Sequence, residues 1–393
     1  MNEKIIEPPK GFRDIEDSSK RIKIINIIEE IFKLYNFQPV ETPVIEYEDF
    51  VKSWNENDEA ISDIFKLQDK GKRNLALRYE FTFQLKRLAK NKKLPYRRYE
   101  IGYVFRDEPT KTNRWKQFIQ CDADIVGSTI KNEGEILKIA SEILEKLKID
   151  YSINFNNRKL LNEILEDLNV GENYRKEVIK EIDKLDKIPE KEIIKNLERY
   201  KAEKILDVIK KPEKYFEKYE CYKDIQVLKK IAQLYKIKII FTPYLARGLG
   251  YYNGTIFEVK SKKIKETIAA GGSYLINNIQ STGISFGLDR IEMLADIKED
   301  SKKILIISLN QDKKAIDLSE KIRNNGIICS IFFGKPSKAL EYANSYKIEY
   351  VIFIGDEEMK KKKLKIKNMI NGKERFLTEE KLQKFLKSYK FKL

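Results

Sequence analysis

The sequence predicts an α+β body that is interrupted by a helical module and followed by a C-terminal α/β domain. Two strand-like segments enclose a polar loop between Tyr99 and Gly127, which is the pattern of two connected strands. Apolar residues at helical spacing run through about 157–236, where glycine is nearly absent. Strand-length apolar runs then alternate with helical stretches to the end of the chain, as in α/β domains with some parallel strands.

The N-terminal segment is predicted to form a helix followed by short extended pieces. Asp17-Ser18-Ser19 is a helix start, and Asn36 can end the helix. Between them lie apolar residues at three-to-four spacing: Ile24, Ile28, Ile31, Phe32 and Tyr35. Short strands are predicted at Ile64–Leu67 and Leu75–Arg78. Of the two longer strands, the first contains the apolar run Ile101–Phe105 and the second contains Ile125-Val126.

Beyond the helical module the strands resume. We predict strands at Ile237–Thr242 and Gly254–Val259 and a glycine turn at Ala269–Gly272. Gly283–Gly287 then leads into a helix over Leu288–Ala295.

The C-terminal part is predicted to alternate strand and helix. Its strands are Ile304–Leu309, Ile327–Phe333 and Tyr350–Ile354, with helices at Asp312–Arg323 and Pro336–Tyr346. Asn371-Gly372 predicts a hairpin between Leu364–Met369 and Glu374–Leu377, and a last helix begins at Thr378. The changes of pattern divide the chain into four parts: 1–156, 157–236, 237–299 and 300–393.

The composition excludes several kinds of enzyme. The chain of 393 residues contains no histidine and three cysteines, so it has no His-based triad, no histidine general base and no imidazole zinc site. The three cysteines are scattered, which suits a reducing compartment. The N-terminus lacks a signal-peptide pattern, and no apolar run is long enough for a membrane span. We therefore expect a soluble cytoplasmic protein without a membrane anchor.

The positive charge is concentrated at the C-terminus. Residues 301–393 contain 22 Lys plus Arg and 11 Asp plus Glu. Their net charge of +11 is most of the net charge of +16 of the whole chain. A basic terminal domain suggests a polyanionic partner such as nucleic acid. A generally lysine-rich composition explains the same numbers, and composition alone does not separate the two interpretations.

Arginine and acidic residues mark candidate sites. Lysine is the common cation here, so the arginines in strand-like or glycine-rich contexts stand out as candidate phosphate or carboxylate ligands: Arg78, Arg106, Arg114, Arg247 and Arg290. For any one of them a surface salt bridge is the commoner role, and the five together favour an anion site. Asp122 and Asp124 share one face of a predicted strand with Gln120, which either lines a pocket or faces solvent; the pattern slightly favours solvent. Gly248–Gly254 is not a dinucleotide fingerprint, because a strand rather than a helix follows it.

Taken together, these segments resemble the histidyl-tRNA synthetase family over nearly the whole chain. Phe37–Pro43 resembles class II motif 1, Phe105–Phe118 motif 2 in its archaeal form, and Gly283–Arg290 motif 3. Three further segments resemble histidine-specific marks of the family: Leu77–Thr82, Gln120–Asp124 and Ala246–Tyr252. The resemblance implies a class II catalytic domain with an antiparallel sheet and helices, a helical insertion and an anticodon-binding domain.

The resemblance also implies a reaction and a set of ligands. Histidine and ATP would give histidyl-adenylate and pyrophosphate, and the acyl group would pass to tRNA(His). Such chemistry needs positioning and charge stabilisation rather than a protein nucleophile. It implies Mg²⁺ with the triphosphate, no protein metal site, and a homodimer.

The family's site residues carry over to positions in this chain. For ATP, the resemblance implies Arg106 at the α-phosphate, Arg114 at the β/γ-phosphates, Arg290 at the γ-phosphate, Phe118 stacked on adenine, and Glu108 and Gly287 beside the nucleotide. For histidine, it implies that Glu80, Thr82 and Gln120 bind the α-amino group, that Asp124 and Tyr252 bind the ring nitrogens, and that Tyr251 lies beside them. Arg247 would contact both the α-phosphate and the histidine carboxylate, so Arg106, Arg247 and Arg290 form the implied catalytic set.

Two departures and two rivals accompany the resemblance. Gly250 stands where many members carry an acidic residue, and Ser273 where the glycine-rich segment usually continues with arginine. The first rival is a non-catalytic paralogue, the regulatory subunit of ATP phosphoribosyltransferase, which keeps the histidine-binding fold. The second is an RNA-binding adaptor. The basic tail and the phosphate-type arginines favour the synthetase.

Overall fold

A computed structural model describes residues 7–52, 63–110, 113–185, 188–246, 251–297 and 303–387. The chain divides into two compact units, Met1–Ile297 and Lys298–Leu393, and each is described by itself.

The first unit is built on an eight-stranded sheet. Its strands lie in the order β1-β5-β6-β11-β10-β9-β7-β8. They are β1 (Gln38–Pro39), β5 (Tyr96–Phe105), β6 (Gln117–Val126), β7 (Ser152–Asn157), β8 (Ile239–Phe241), β9 (Tyr252–Lys260), β10 (Ala269–Ile276) and β11 (Ile279–Gly287). All neighbours are antiparallel except β1 with β5 and β7 with β8. The predicted α+β fold with an antiparallel sheet is confirmed.

Helices cover the apolar face of this sheet. α1 (Ser19–Leu34) buries Ile24, Ile28, Ile31 and Phe32, and Asn36 follows it with φ of 60°, as the sequence predicted. α4 (Ile130–Lys146) packs on α1 and on β10 and β11. α10 (Leu288–Leu294) follows β11 directly, so motif 3 is a strand that runs into a helix.

Smaller elements complete this unit. A three-stranded sheet has the order β2-β4-β3 and consists of β2 (Ile45–Tyr47), β3 (Lys66–Gln68) and β4 (Asn74–Leu77). Two short helices accompany it: α2 (Glu48–Lys52) follows β2 in the chain, and α3 (Leu85–Leu88) follows β4.

The segment after β7 is helical, as predicted. It comprises α5 (Arg158–Asp167), α6 (Glu172–Ile182), α7 (Glu190–Glu198), α8 (Ile205–Ile209), a 3₁₀ helix (Glu213–Lys218) and α9 (Tyr222–Leu234). Its apolar residues join the main core: Leu160 and Ile164 of α5 and Ile225 and Leu228 of α9 are buried there. The four-part division of the chain stays a sequence prediction.

The second unit is an α/β domain around a five-stranded sheet of order β13-β12-β14-β15-β16. Its elements are β12 (Lys303–Ser308), α11 (Asp312–Arg323), β13 (Ile328–Phe333), α12 (Pro336–Ser345), β14 (Tyr350–Ile354), α13 (Asp356–Lys361), β15 (Leu364–Asn368), β16 (Glu374–Leu377) and α14 (Glu379–Lys387). β12 is parallel to β13 and β14, and the predicted Asn371-Gly372 hairpin joins β15 to β16. α13 was not expected from the sequence.

One predicted turn is wrong. Ala269–Gly272 is not a turn but the first half of β10, paired on one side with β9 and on the other with β11. Its glycines serve close packing instead: a Cβ on Gly271 would lie 2.1 Å from the carbonyl oxygen of Gly283. A side chain there would push β10 away from β11.

Candidate active site

A cleft of about 230 Å³ opens on the polar face of the large sheet. It is lined by β6, β10 and β11, by the chain following β5, and by the starts of β9 and α10. The site residues that the family resemblance implies, where they lie in the described ranges, all line it: Glu80, Thr82, Arg106, Glu108, Arg114, Phe118, Gln120, Asp124, Tyr251, Tyr252, Gly287 and Arg290. Arg247 and Gly250 lie outside the described residues.

The pairing of β6 with β11 forms the floor of the cleft. Gln120, Asp122 and Asp124 alternate along β6 and therefore share one face. Opposite them on β11 lie small residues, with Gly283 paired to Asp124, Ser285 to Asp122 and Gly287 to Gln120. A Cβ on Gly283 would lie 2.1 Å from Oδ1 of Asp124, so only glycine leaves room for that carboxylate.

Arginines surround one end of the cleft. Arg106 donates from Nε to the carbonyl of Tyr79 at 3.2 Å and from Nη2 to Oε1 of Gln120 at 3.2 Å. Its guanidinium lies 5.3 Å from the centre of the Phe118 ring. These contacts hold the planar group in a fixed orientation before any ligand is bound.

Two further arginines line the same cleft. Arg290 donates from Nη1 to the carbonyl of Thr267 at 2.6 Å, which ties the first turn of α10 to the segment before β10. Arg114 pairs with Glu108. The three guanidinium groups provide the planar, permanently charged donors that phosphate oxygens accept well.

Carboxylates and tyrosines line the other part of the cleft. Asp122 and Asp124 are buried, and the hydroxyl of Tyr274 donates to Oδ1 of Asp124. Tyr251, Tyr252 and Tyr274 form an aromatic cluster, with ring centres 4.8 Å apart for the first two and 5.6 Å for Tyr251 and Tyr274. An apolar wall with buried acceptors and hydroxyls suits a flat polar ring with N–H groups.

Burial changes the acid–base properties of these groups. Burial first, and then the charge of Asp124, raises the pKa of Asp122 to about 7. Burial also raises the pKa of Asp124, while Arg98 and Tyr274 act in the opposite direction. Burial raises the pKa of Tyr251 and Tyr274 well above the ordinary value, so both hydroxyls keep their protons at neutral pH.

Gln120 connects the two parts of the cleft. Its Nε2 donates to both oxygens of Asp122 at 3.2 Å and to Oγ of Ser285 at 2.7 Å. Its Oε1 therefore points away from Asp122 and accepts from Arg106. This fixed amide orientation links the acidic floor to the arginine end.

Two sequence interpretations of polar residues are wrong. Asp122 and Asp124 do not face solvent: β6 is an inner strand, and neighbouring side chains bury both carboxylates, Arg98 and Tyr274 at Asp124 and Gln120 at Asp122. Arg78 is not an anion site. It is buried beside β5, where it donates to the carbonyls of Thr42 at 2.7 Å and Tyr103 at 2.8 Å and pairs with Glu100 at 3.0 Å.

The sequence analysis also missed two residues at the part of the cleft that carboxylates and tyrosines line. Tyr274 was overlooked because its segment was interpreted as following a turn, whereas strand alternation from Gly272 places it on the cleft face. Arg98, which pairs with Asp124 at 2.8 Å, lies in a run of charged and aromatic residues that gave no sign of burial.

Comparison with known proteins agrees with this geometry. The family model for histidyl-tRNA synthetase matches residues 11–291, and the model for the anticodon binding domain matches residues 303–389. The chain belongs to the histidyl-tRNA synthetase family. Histidine–tRNA ligase 1 of Bacillus cereus is 34% identical over 93% of this chain and 93% of its own length. Histidine–tRNA ligase of Helicobacter pylori is 30% identical over 92% of this chain and 93% of its own length.

Solved structures support the class II synthetase fold. The histidyl-tRNA synthetase from Nostoc superposes with a TM-score of 0.84 at 23% identity and covers 98% of this chain and 99% of its own. The ATP phosphoribosyltransferase regulatory subunit/histidyl-tRNA synthetase from Bacillus halodurans superposes with a TM-score of 0.76 at 19% identity, over 89% of this chain and 98% of its own. At these identities the superpositions establish the fold. The curated relatives at higher identity favour the synthetase over the regulatory paralogue. They are bacterial, and the archaeal form of motif 2 stays a sequence prediction.

Proposed function

We propose that this chain attaches histidine to tRNA(His) in two steps that both take place in the cleft. In the first, a carboxylate oxygen of histidine attacks the α-phosphorus of ATP, and the bond to the β-phosphate oxygen breaks to release pyrophosphate. In the second, a ribose hydroxyl at the 3′ end of tRNA attacks the acyl carbon, and AMP leaves. The observation that supports this proposal is a single cleft with guanidinium groups at one end and buried carboxylates and tyrosines at the other.

The arginines would stabilise charge on the phosphates. Arg106 is assigned to the α-phosphate, Arg114 to the β/γ-phosphates and Arg290 to the γ-phosphate. Their contacts to Tyr79, Gln120 and Thr267 hold two of them in place, so little reorganisation is needed when charge develops. Arg247 is assigned to the α-phosphate and the histidine carboxylate. Phe118 would stack on adenine, with Glu108 and Gly287 beside the nucleotide.

The acidic end would select histidine. Asp124 and Tyr252 are assigned to the two ring nitrogens, with Tyr251 beside the ring, and Glu80, Thr82 and Gln120 to the α-amino group. Imidazole carries an N–H donor that a buried carboxylate accepts. An apolar amino acid of similar size would leave that carboxylate unpaired, which sites of this kind reject strongly.

Mg²⁺ would arrive with ATP. A Mg²⁺ ion that is bound through substrate phosphates needs only one or two protein carboxylates. Within the described residues there is no group of three ligating side chains. Glu108, which pairs with Arg114 in the cleft, would be a carboxylate beside the triphosphate. When bound, Mg²⁺ would neutralise phosphate charge.

We further propose a cytoplasmic homodimer whose interface includes motif 1, Phe37–Pro43. Among the helices that the structure describes, none has the length and apolar character needed to cross a membrane.

The direct test is ATP–pyrophosphate exchange with purified protein. We expect exchange that depends on histidine and does not require tRNA, because the first step uses only the cleft. The chain contains no histidine of its own, so protein prepared without a polyhistidine tag brings no histidine residue into the assay. Exchange that is absent, or equal with and without histidine, would refute the proposal.

The second unit is proposed to bind the anticodon region of the tRNA. Lys360, Lys361 and Lys363 are exposed at the end of α13 and before β15. Replacing all three by alanine should weaken tRNA binding and reduce the slope of log affinity against log salt by about 2, because fewer counterions are released. Adenylate formation should barely change.

The matched control for that experiment changes the same net charge elsewhere in the same unit. Lys313, Lys335 and Lys338 are also exposed and belong to other elements. Their triple alanine variant should affect tRNA binding less. If the variant at Lys360, Lys361 and Lys363 lost as much pyrophosphate exchange as tRNA charging, the proposal that the second unit binds tRNA without affecting adenylate formation would be contradicted.

A further inference from the structure

A buried arginine lies directly beside the proposed ring partner of histidine. Arg98 of β5 is 0% exposed and is not among the residues that line the cleft. Its Nη2 lies 2.8 Å from Oδ2 of Asp124 and donates to the carbonyl oxygen of Phe81 at 2.7 Å. Arg98 is paired with Asp124 across β5 and β6, so the two side chains lie on the same face of the sheet. The guanidinium is therefore anchored at the backbone and lies beside the carboxylate.

The same carboxylate is held at its other oxygen. The hydroxyl of Tyr274, from β10, donates to Oδ1 of Asp124. Gly283, from β11, leaves the space that this oxygen occupies. Three neighbouring strands thus fix the orientation of Asp124 in the absence of ligand.

Arg98 is the cation that balances Asp124. Glu100 lies farther from Arg98, at 3.9 Å, and has a counter-charge of its own in Arg78 at 3.0 Å. Asp122 is held by neutral donors on Gln120 and Ser285. Removal of Arg98 would therefore leave the buried carboxylate of Asp124, which lies next to that of Asp122, without its ion pair.

We propose that Arg98 is a positioning residue for amino-acid selection: it keeps Asp124 ionised and aligned to accept the ring N–H of histidine without touching the substrate. This inference rests on the proposed function, in which Asp124 binds the ring. A buried carboxylate without a counter-charge takes up a proton more readily, and a protonated carboxyl is a poorer acceptor. The effect of Arg98 is thus expected on histidine rather than on ATP.

The pH dependence of such an effect depends on every group that faces Asp124. Among the described residues, Asp124 interacts with Asp122 of its own strand, with Arg98 of β5 and with Tyr274 of β10. Glu100 lies near Arg98, and Tyr252 lies near Tyr274. Asp122 titrates near neutral pH in its own right. No protein imidazole does, because the chain contains no histidine. The window around neutral pH therefore reports on the buried carboxyl groups and on the substrate.

The test is the KM for histidine of Arg98→Met, divided by that of the wild type, between pH 6.5 and 8.5. We expect this ratio to be about 100 at the acidic end. It should fall by up to about tenfold per pH unit as Asp124 ionises, since binding is then linked to one proton. The KM for ATP should stay within about threefold of the wild type at each pH.

Three controls separate positioning from general damage. Arg98→Lys keeps the charge. Its KM for histidine, divided by that of the wild type, should not change with pH and should rise less than in Arg98→Met. Asp124→Asn removes the titrating carboxyl group. Adding Arg98→Met to this variant should therefore cause no further change in how the KM for histidine depends on pH. If that double variant still shows it, the effect belongs to Asp122 and the inference is wrong.

The outcomes distinguish the inference from the proposed function. A wild type without histidine-dependent exchange overturns both. An active wild type with an unchanged or pH-independent ratio in Arg98→Met overturns the inference alone. If Arg98→Met does not fold, Arg98→Lys decides: a rise in the KM for histidine alone supports the inference, and equal rises for histidine and ATP overturn it.

Discussion

Replacing Arg106 by alanine is expected to lower the rate of histidine-dependent pyrophosphate exchange by about 100- to 1,000-fold. The contacts of Arg106 to Tyr79 and Gln120 hold its guanidinium in the cleft before ATP binds. In the proposed function, charge that develops on the α-phosphate would then meet a donor that needs no reorganisation. Alanine removes that donor and leaves water or a mobile cation to replace it.

The effect of Arg106 can be separated from that of charge alone. Arg106→Lys keeps a cation but not the fixed planar group, so we expect an intermediate rate. Arg73→Ala is the matched control, because Arg73 lies in an exposed turn and pairs with Asp69. The kcat of exchange should fall more than the KM for ATP rises. A loss confined to KM would show that Arg106 contributes only to binding.

Replacing Asp124 by alanine is expected to raise the KM for histidine by about 100-fold or more, with a much smaller change for ATP. Asp124 lies on the cleft floor opposite Gly283 and is held by Arg98 and Tyr274. Without its carboxylate the ring N–H of histidine loses its proposed acceptor. Steady-state exchange at varied histidine and varied ATP measures both constants.

The structure adds a cost to this substitution that the sequence did not indicate. Alanine would leave Arg98 charged, buried and without Asp124, and breaking such a pair typically destabilises a fold by about 3–5 kcal/mol. Asp124→Asn keeps the size and an acceptor oxygen, and Asp150→Asn, at an exposed position, is the matched control. Thermal unfolding of each variant separates lost stability from lost binding. Equal rises in the KM for histidine and for ATP would place Asp124 outside the histidine pocket.

Much of the fold could be predicted because its signals are local. Apolar residues at three-to-four spacing produced α1 as expected, and Asn371-Gly372 produced the hairpin between β15 and β16. The prediction of a turn at Ala269–Gly272 is wrong for the same reason, because the local preference of glycine favours a turn there. What decided against the turn was the close approach of β11, which lies beyond any local window.

The amino-acid sequence by itself determined the order of elements, the exclusion of histidine chemistry and the arginines and acidic residues offered to a ligand. The tertiary structure decided which of them share a cleft and which are buried with a partner. Arg78 and Arg106 carry the same group, but Arg78 is enclosed by Thr42, Tyr103 and Glu100, whereas Arg106 lines the cleft.

Alternation along β6 shows that Gln120, Asp122 and Asp124 share a face, but not what covers that face. The position of a strand within a sheet depends on pairing with distant segments. Here β11 covers one edge of β6 and β5 the other. That pairing sets Arg98 of β5 beside Asp124, and β10, the next strand after β11, brings Tyr274 against the same carboxylate. Such neighbours bury the two aspartates that the sequence pattern slightly favoured as solvent-facing, and they place the charge of Arg98 where it can act on one of them.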